Sequence, residues 1–262
     1  MALGLIIGSF LNVVVYRGPA AWGLVDAPDG PRGGLVHPRS YCPACRGQLP
    51  IRSLIPVLSF VIQRGRCVLC GAAISWRYPA IEIAGAAGAA AALAAAGPAP
   101  AAFALAVFFW VLIALAAIDA QTGYLPDALT LPLVAVGLAT NAAGLLVPVA
   151  DAAIGAAAGY LVFRGVALAF RALRGVEGLG GGDAKLLAAI GAWGGYTVLP
   201  ATVFIGAVAT LAAAALLSLR GRTIGRQTAL PFGPGLAVAG ALCVAAQAPV
   251  ARALFDRFLI GL

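Results

Sequence analysis

The chain has 262 residues, 62% of them hydrophobic and only 10% charged, with a formal net charge of +8. An average soluble domain carries about 25% charged residues, so this composition excludes a soluble globular protein as the main body of the chain. The positive charge would point to nucleic acid in a soluble chain; here it is first tested as a signal of membrane orientation.

Eight apolar segments follow one another, at 1–16, 80–98, 101–118, 128–149, 152–170, 185–199, 200–218 and 229–248. Several reach the roughly 20 residues needed to cross a bilayer. The pattern predicts an all-α polytopic membrane protein of about eight transmembrane helices. No basic n-region precedes the first stretch, so it does not read as a cleavable signal peptide. That stretch is short for a span, which tilt, local thinning of the bilayer or further residues upstream would accommodate. The division between 185–199 and 200–218 rests on Pro200 and nearby glycines. Three parts are expected: a first helix at 1–16, a cytoplasmic insert at 17–78, and a transmembrane domain at 79–262.

Arginine sets the orientation. Placing 17–78, 119–127, 171–184 with Lys185, and 219–228 in the cytoplasm leaves Arg252 and Arg257 outside and Arg164 within a span. Thus 14 of the 17 basic residues lie inside. Orientation and anionic lipid then account for the charge better than a nucleic-acid site does.

The insert carries Cys42-Pro43-Ala44-Cys45 and, 21 residues later, Cys67-Val68-Leu69-Cys70. Paired C-x2-C knuckles offer four sulfurs from two tight turns, a tetrahedral zinc site, with Gly47 and Gly71 close behind to allow the turns. Two disulfides are the competing reading, disfavoured in a reducing cytoplasm. Four thiolates leave no open coordination position, so the metal would be structural. Cys243, in the last apolar segment, reads as a small core residue, and His37 as a solvated loop residue.

Only nine residues are acidic. Asp127 and Asp151 each precede a span and read as helix N-caps. Glu82 falls in the first turn of the second span, where a negative charge suits the helix dipole. Asp26, Asp29 and Asp256 lie in polar segments. Asp183 follows Gly180, Gly181 and Gly182, with Gly178 nearby, and could be a cap on a flexible loop. A phosphate-binding loop is disfavoured there, because an acid at a helix start repels phosphate. Asp119 lies at the wrong end of its helix for the dipole, and the loop after it, AQTGYLPD, supplies no base. Such a carboxylate is a functional candidate. Two carboxylates that meet share one proton; one can activate water while the other assists a peptide carbonyl. Spacing in the sequence does not bring them together.

Six blocks in order resemble a known family, the bacterial type IV prepilin peptidases, or leader peptidase/N-methyltransferases. They are GSFLNVVVYR at 8–17, the two cysteine pairs, ISWRYPAIE at 74–82, IDAQTGYLPDALTLPL at 118–133, GGGDAKLLAAIGAW at 180–193 and LPFGPGLA at 230–237. The resemblance implies a membrane aspartic protease of the GxGD type, with Asp119 and Asp183 as catalytic pair and Gly180 and Gly182 as motif glycines. It implies cleavage of the basic leader of prepilins or pseudopilins at the cytoplasmic face of the bacterial inner membrane. The cysteine-bearing insert, with Cys42, Cys45, Cys67 and Cys70, implies N-methylation of the new terminus from S-adenosylmethionine. No glycine-rich fold for that donor is visible in 17–78. Membrane lipid and the prepilin are the expected partners, without nucleic acid. A face this basic would repel a basic leader, so recognition is assigned to Asp119, Asp183, Glu177 and the apolar helix of the substrate. Two other readings remain: a peptidase without methylation, its insert structural or a docking module, and a non-enzymatic transporter or assembly factor whose aspartates bind protons or cations. The latter would place several polar groups deep in the spans, where Arg164, Asn12 and Asn141 are the main ones here.

Overall fold

The computed structural model describes residues 1–26, 32–175, 180–220 and 230–253. The expectations attached to Asp29, Glu177, Gly178, Arg222, Arg226, Asp256 and Arg257 concern positions outside the described residues. The chain divides into two compact units, Met1–Ala91 and Ala92–Leu262.

The N-terminal unit holds α1 (Ala2–Ala21), the short α2 (Leu58–Ile62) and most of α3 (Arg77–Ala96). α1 does not stop at residue 16: it runs 20 residues, long enough to span. Arg17 explains the extension, because its guanidinium is not solvated at a loop edge but only 4% exposed. It donates to the carbonyls of Gly34, Pro38 and Arg39 at 3.1, 2.7 and 3.2 Å and lies 4.9 Å over the Tyr41 ring. A residue counted above as a topology charge therefore clamps the insert to the end of α1. The α1–α3 crossing is built on glycine. A Cβ at Gly4 would lie 2.6 Å from the Gly85 carbonyl oxygen, and one at Gly8 would lie 2.6 Å from the Glu82 Cα. Small residues one turn apart let two backbones touch, the usual means of helix pairing in membranes.

The C-terminal unit holds α4 (Pro100–Thr122), α5 (Asp127–Ala142), α6 (Val149–Arg174), α7 (Gly181–Gly194), α8 (Leu199–Leu219) and α9 (Gly233–Ala246). Each of the eight apolar segments thus contains a helix, although within 128–149 it stops at Ala142 and within 185–199 at Gly194. Among the described residues five helices are long and apolar enough to cross a membrane: α1, α3, α4, α6, and α8 with the turn before it; α5 and α9 are shorter apolar helices. Among the described residues the only strand-like pairings are two isolated bridges in the insert.

α7 is the buried centre of this unit, covered along almost its whole length. Gly155 of α6 meets Gly191 of α7 backbone to backbone, and a Cβ at Gly159 would lie 2.7 Å from the Leu187 carbonyl oxygen. Trp193 is fully buried; its Nε1 donates to the Leu133 carbonyl at 2.8 Å and its ring stacks on Phe108 at 4.8 Å. Asn141 turns out to be structural. Its Nδ2 donates to the carbonyls of Ala192 and Trp193 at the end of α7, while its Oδ1 accepts the Val147 amide. Backbone carbonyls at a helix end need such partners where water is absent. α6 and α8 leave large apolar side chains exposed, among them Leu161, Val162, Val166, Phe204 and Leu211, as lipid-facing helices do.

Candidate active site and metal centre

Asp119 occupies the last turn of α4, which ends at Gly123 in the left-handed conformation, its amide returning to the Asp119 carbonyl at 2.8 Å. The side chain is 5% exposed. It does have a partner, contrary to the reading of the local sequence: Oδ2 accepts the Gly233 amide at 3.0 Å. Gly233 is the first residue of α9. The carboxylate misplaced at the end of its own helix thus sits at the start of another, where free amides and the dipole favour negative charge. A Cβ at Gly233 would lie 2.6 Å from Oδ2, so the glycine is what lets the carboxylate dock.

Asp183 lies in the first turn of α7, whose N-cap is Gly180. It is not the cap itself; its carboxylate reaches back to the backbone of Gly180, in the manner of a capping box. A Cβ at Gly180 would lie 3.3 Å from Oδ2, and one at Gly182 would lie 2.8 Å from the Leu125 Cβ. Both glycines make room, one for the carboxylate and one for the turn after α4. Asp183 precedes the apolar part of α7, outside the five spanning helices, and is 8% exposed. Burial pushes its carboxyl up to about 7, the charge of Asp119 pushes in the same direction, and the Gly180 backbone bond opposes both. The two aspartates therefore share one electrostatic environment, and they are the buried acids of this unit among the described residues.

The remaining acids depart from their expected roles. Asp127 is the first residue of α5 after the cap Pro126 and makes an ion pair with Lys185, 2.5 Å from its Nζ, rather than a cap. Asp151 lies in the first turn of α6 behind the cap Pro148, which makes no side-chain capping bond. Glu82 is past the first turn of α3 and buried, with the Val57 amide on its Oε2 at 2.7 Å. Tertiary contact, not the helix dipole, sets its position.

In the N-terminal unit the sulfurs of Cys42, Cys45, Cys67 and Cys70 lie within 4.8 Å of one another. Cys42 and Cys70 are 3.9 Å apart, close to the edge of about 3.8 Å that a tetrahedron with 2.3 Å zinc–sulfur bonds requires. All four are free thiols. Each knuckle is closed by paired backbone bonds: Cys42 with Gly47 and Arg46, Cys67 with Ala72 and Gly71. Gly71 takes the left-handed conformation at φ +74, but in the first knuckle Arg46, at φ +58, does so and not Gly47. Gly47 is needed for space, since its Cβ would lie 2.6 Å from Leu69 Cδ1. The Leu69 amide donates to the Cys67 sulfur at 3.4 Å and holds its thiol down to about 7. At Cys70 the backbone bond from Ala72 lowers the thiol, but the neighbouring sulfurs outweigh it and push it up to about 11, as crowded thiols do. The donor set, spacing and turns fit zinc. His37, five residues before Cys42, is exposed and outside the cluster, and Cys243 is half-buried in α9.

Residues 106–215 match the model of the type IV leader peptidase family, and residues 2–96 match that of the bacterial peptidase A24 N-terminal domain. A prepilin leader peptidase/N-methyltransferase of Dickeya chrysanthemi is 45% identical over 254 residues, covering 92% of this chain and 89% of that protein. The chain belongs to the type IV leader peptidase family. Proteins with the same designation from Burkholderia pseudomallei and Pseudomonas aeruginosa are 47% and 40% identical, covering 92% and 91% of this chain and 82% and 86% of theirs. No solved structure matches it. The leader peptidase model takes in Asp119 and Asp183, the N-terminal domain model takes in the four cysteines, and Gly233 lies beyond both.

Proposed function

We propose that this multi-pass membrane protein is a prepilin leader peptidase and N-methyltransferase in which Asp119 and Asp183 form the proteolytic dyad. Family membership and the designation of the relatives support the two activities. The dyad assignment is supported by the placement of two buried carboxylates in one unit, Asp119 in the last turn of α4 and Asp183 in the first turn of α7, near enough for the charge of one to act on the other.

The two environments divide the labour. Asp119 is the base: the Gly233 amide and the start of α9 stabilise its negative charge. Asp183 is the acid, kept protonated near neutral pH by burial and by its neighbour's charge. A water between them gives a proton to Asp119 as its oxygen bonds to the scissile carbonyl carbon. The Asp183 proton passes to the carbonyl oxygen, leaving a neutral tetrahedral diol. Collapse of the diol breaks the C–N bond; the departing amine takes the proton from Asp119, and a diol hydroxyl returns one to Asp183. Each carboxyl ends in its starting state. Gly180 and Gly182 serve by leaving space at the acid and at the turn after α4.

The arginine bias supports a cytoplasmic position for the insert and for the aspartates, where a basic leader ahead of an apolar helix is cut. Cys42, Cys45, Cys67 and Cys70 hold one structural zinc that orders an insert poor in aliphatic residues. S-adenosylmethionine is the methyl donor, as the designation of the relatives implies. Incubating the purified protein with a prepilin and this donor, followed by mass spectrometry of the product, tests the reading. A cleaved product 14 Da heavier than the free amine is expected. An uncleaved prepilin contradicts the peptidase, and a cleaved but unmethylated one removes the transferase.

A further inference from the structure

We propose that the N-terminal unit carries a separate binding site for the methyl donor, a cavity of about 420 Å3 whose floor is formed by Glu82 and Asn12. The proposal rests on the N-methyltransferase reading above and assigns residues to it.

The cavity is a cleft lined by α1, the start of α3 and the insert, and its volume falls in the range of small-molecule sites, about 300–1,000 Å3. The close crossing of Gly4 and Gly8 with Gly85 brings the α3 backbone against α1 and sets Glu82 beside Ser9 and Asn12. Arg17 and Arg77 also line the cavity, but at the floor the groups with spare capacity are two acceptors, Asn12 and Glu82. Asn12 is 3% exposed; its Nδ2 donates to the Tyr78 and Gly8 carbonyls, and its Oδ1 has no partner. Glu82 is 8% exposed and accepts the Val57 amide and the Ser9 hydroxyl, two of about four bonds that a carboxylate can take. A buried carboxylate beside an orphaned amide oxygen calls for a ligand that brings donors and positive charge.

Backbone strain points to the same place. Val57 has φ +61, a conformation that a β-branched residue rarely adopts, and its amide is the one held on Glu82. Above the floor the walls include the rings of Tyr16, Phe60 and Tyr78. Aromatic faces and a carboxylate together suit a ligand with an aromatic base at one end and cationic centres at the other. S-adenosylmethionine, with its adenine, sulfonium and ammonium groups, has that chemistry. When bound it supplies an electrophilic methyl group: the lone pair of the substrate amine forms the N–C bond, the S–C bond breaks with its electrons kept by sulfur, and the amine releases one proton. Glu82 and Asn12 are binding residues for a cationic centre of the donor.

The test is binding, read by calorimetry on the full protein in detergent with S-adenosylmethionine as titrant. Glu82→Gln keeps the shape and the bond from Val57 but removes the charge; donor affinity should fall about 10- to 100-fold. Ser53→Phe, from the half-buried insert wall, fills the cavity and should abolish binding without touching the α1–α3 crossing. Prepilin cleavage, which neither residue serves, reports that each variant inserts and folds. Unchanged donor affinity in both variants overturns the site. If the wild-type protein neither binds the donor nor methylates, the transferase reading itself has failed.

Discussion

Asp119 ends one helix and accepts the first amide of another, from Gly233, at 3.0 Å across 114 positions of sequence. That bond converts an unfavourable helix end into a favourable helix start, and it leaves the second carboxylate oxygen for chemistry. Everything proposed for the dyad depends on this docking.

Gly233→Ala tests it without altering either aspartate. The added methyl would lie 2.6 Å from Oδ2, so the carboxylate must move. A displacement near 1 Å should lower kcat for cleavage about 100-fold while KM changes little. Wild-type kcat in this variant would show that the contact does not position the base.

Cleavage should lose activity as pH rises through about 7. Above that point Asp183 gives up its proton and both carboxylates are negative, so no acid remains for the carbonyl oxygen. Asp119→Asn removes one of the two causes that raise Asp183. Its carboxyl should then titrate lower, visible in the infrared carboxylic C=O band as a protonated band lost at lower pH than in the wild type. An unshifted band contradicts the coupling.

Zinc removal should separate the two activities. Cys42 and Cys67 belong both to the cysteine cluster proposed to hold zinc and to the cavity wall, so stripping that metal or making Cys67→Ser should abolish donor binding and methylation. Cleavage should continue close to the untreated rate, because the dyad belongs to a unit with its own core. Parallel loss of both activities would contradict this division.

Gly137→Ala should destabilise the C-terminal unit by about 1–3 kcal/mol. Its methyl would lie 2.5 Å from Trp193 Cδ1, and that ring cannot yield because its Nε1 bond and the Phe108 stack fix it. Thermal unfolding in detergent measures the effect, and an unchanged Tm would mean that the ring has room.

The helices were legible because a membrane span announces itself by an unbroken apolar run, and each of the eight runs contains a helix. The clustering of the four cysteines was legible from their spacing, and the two aspartates stood out as acids that the structure indeed buries. The partners of the buried polar groups were not legible. Gly233 lies far from Asp119 in sequence, and its role as a helix start emerges only when α9 meets α4. Arg17 looked like a loop charge because nothing local shows that the insert folds back onto it. Glu82 looked like a dipole-favoured acid, yet the glycine crossing of α1 with α3 buries it. Local composition reports which groups are costly to bury; only tertiary packing reports what receives them.

The central claim is tested most directly by prepilin cleavage with Asp119→Asn and Asp183→Asn, each assayed alone in membranes at matched protein levels. A shared dyad predicts that either substitution abolishes cleavage while the protein still inserts. Full activity in either variant would contradict it.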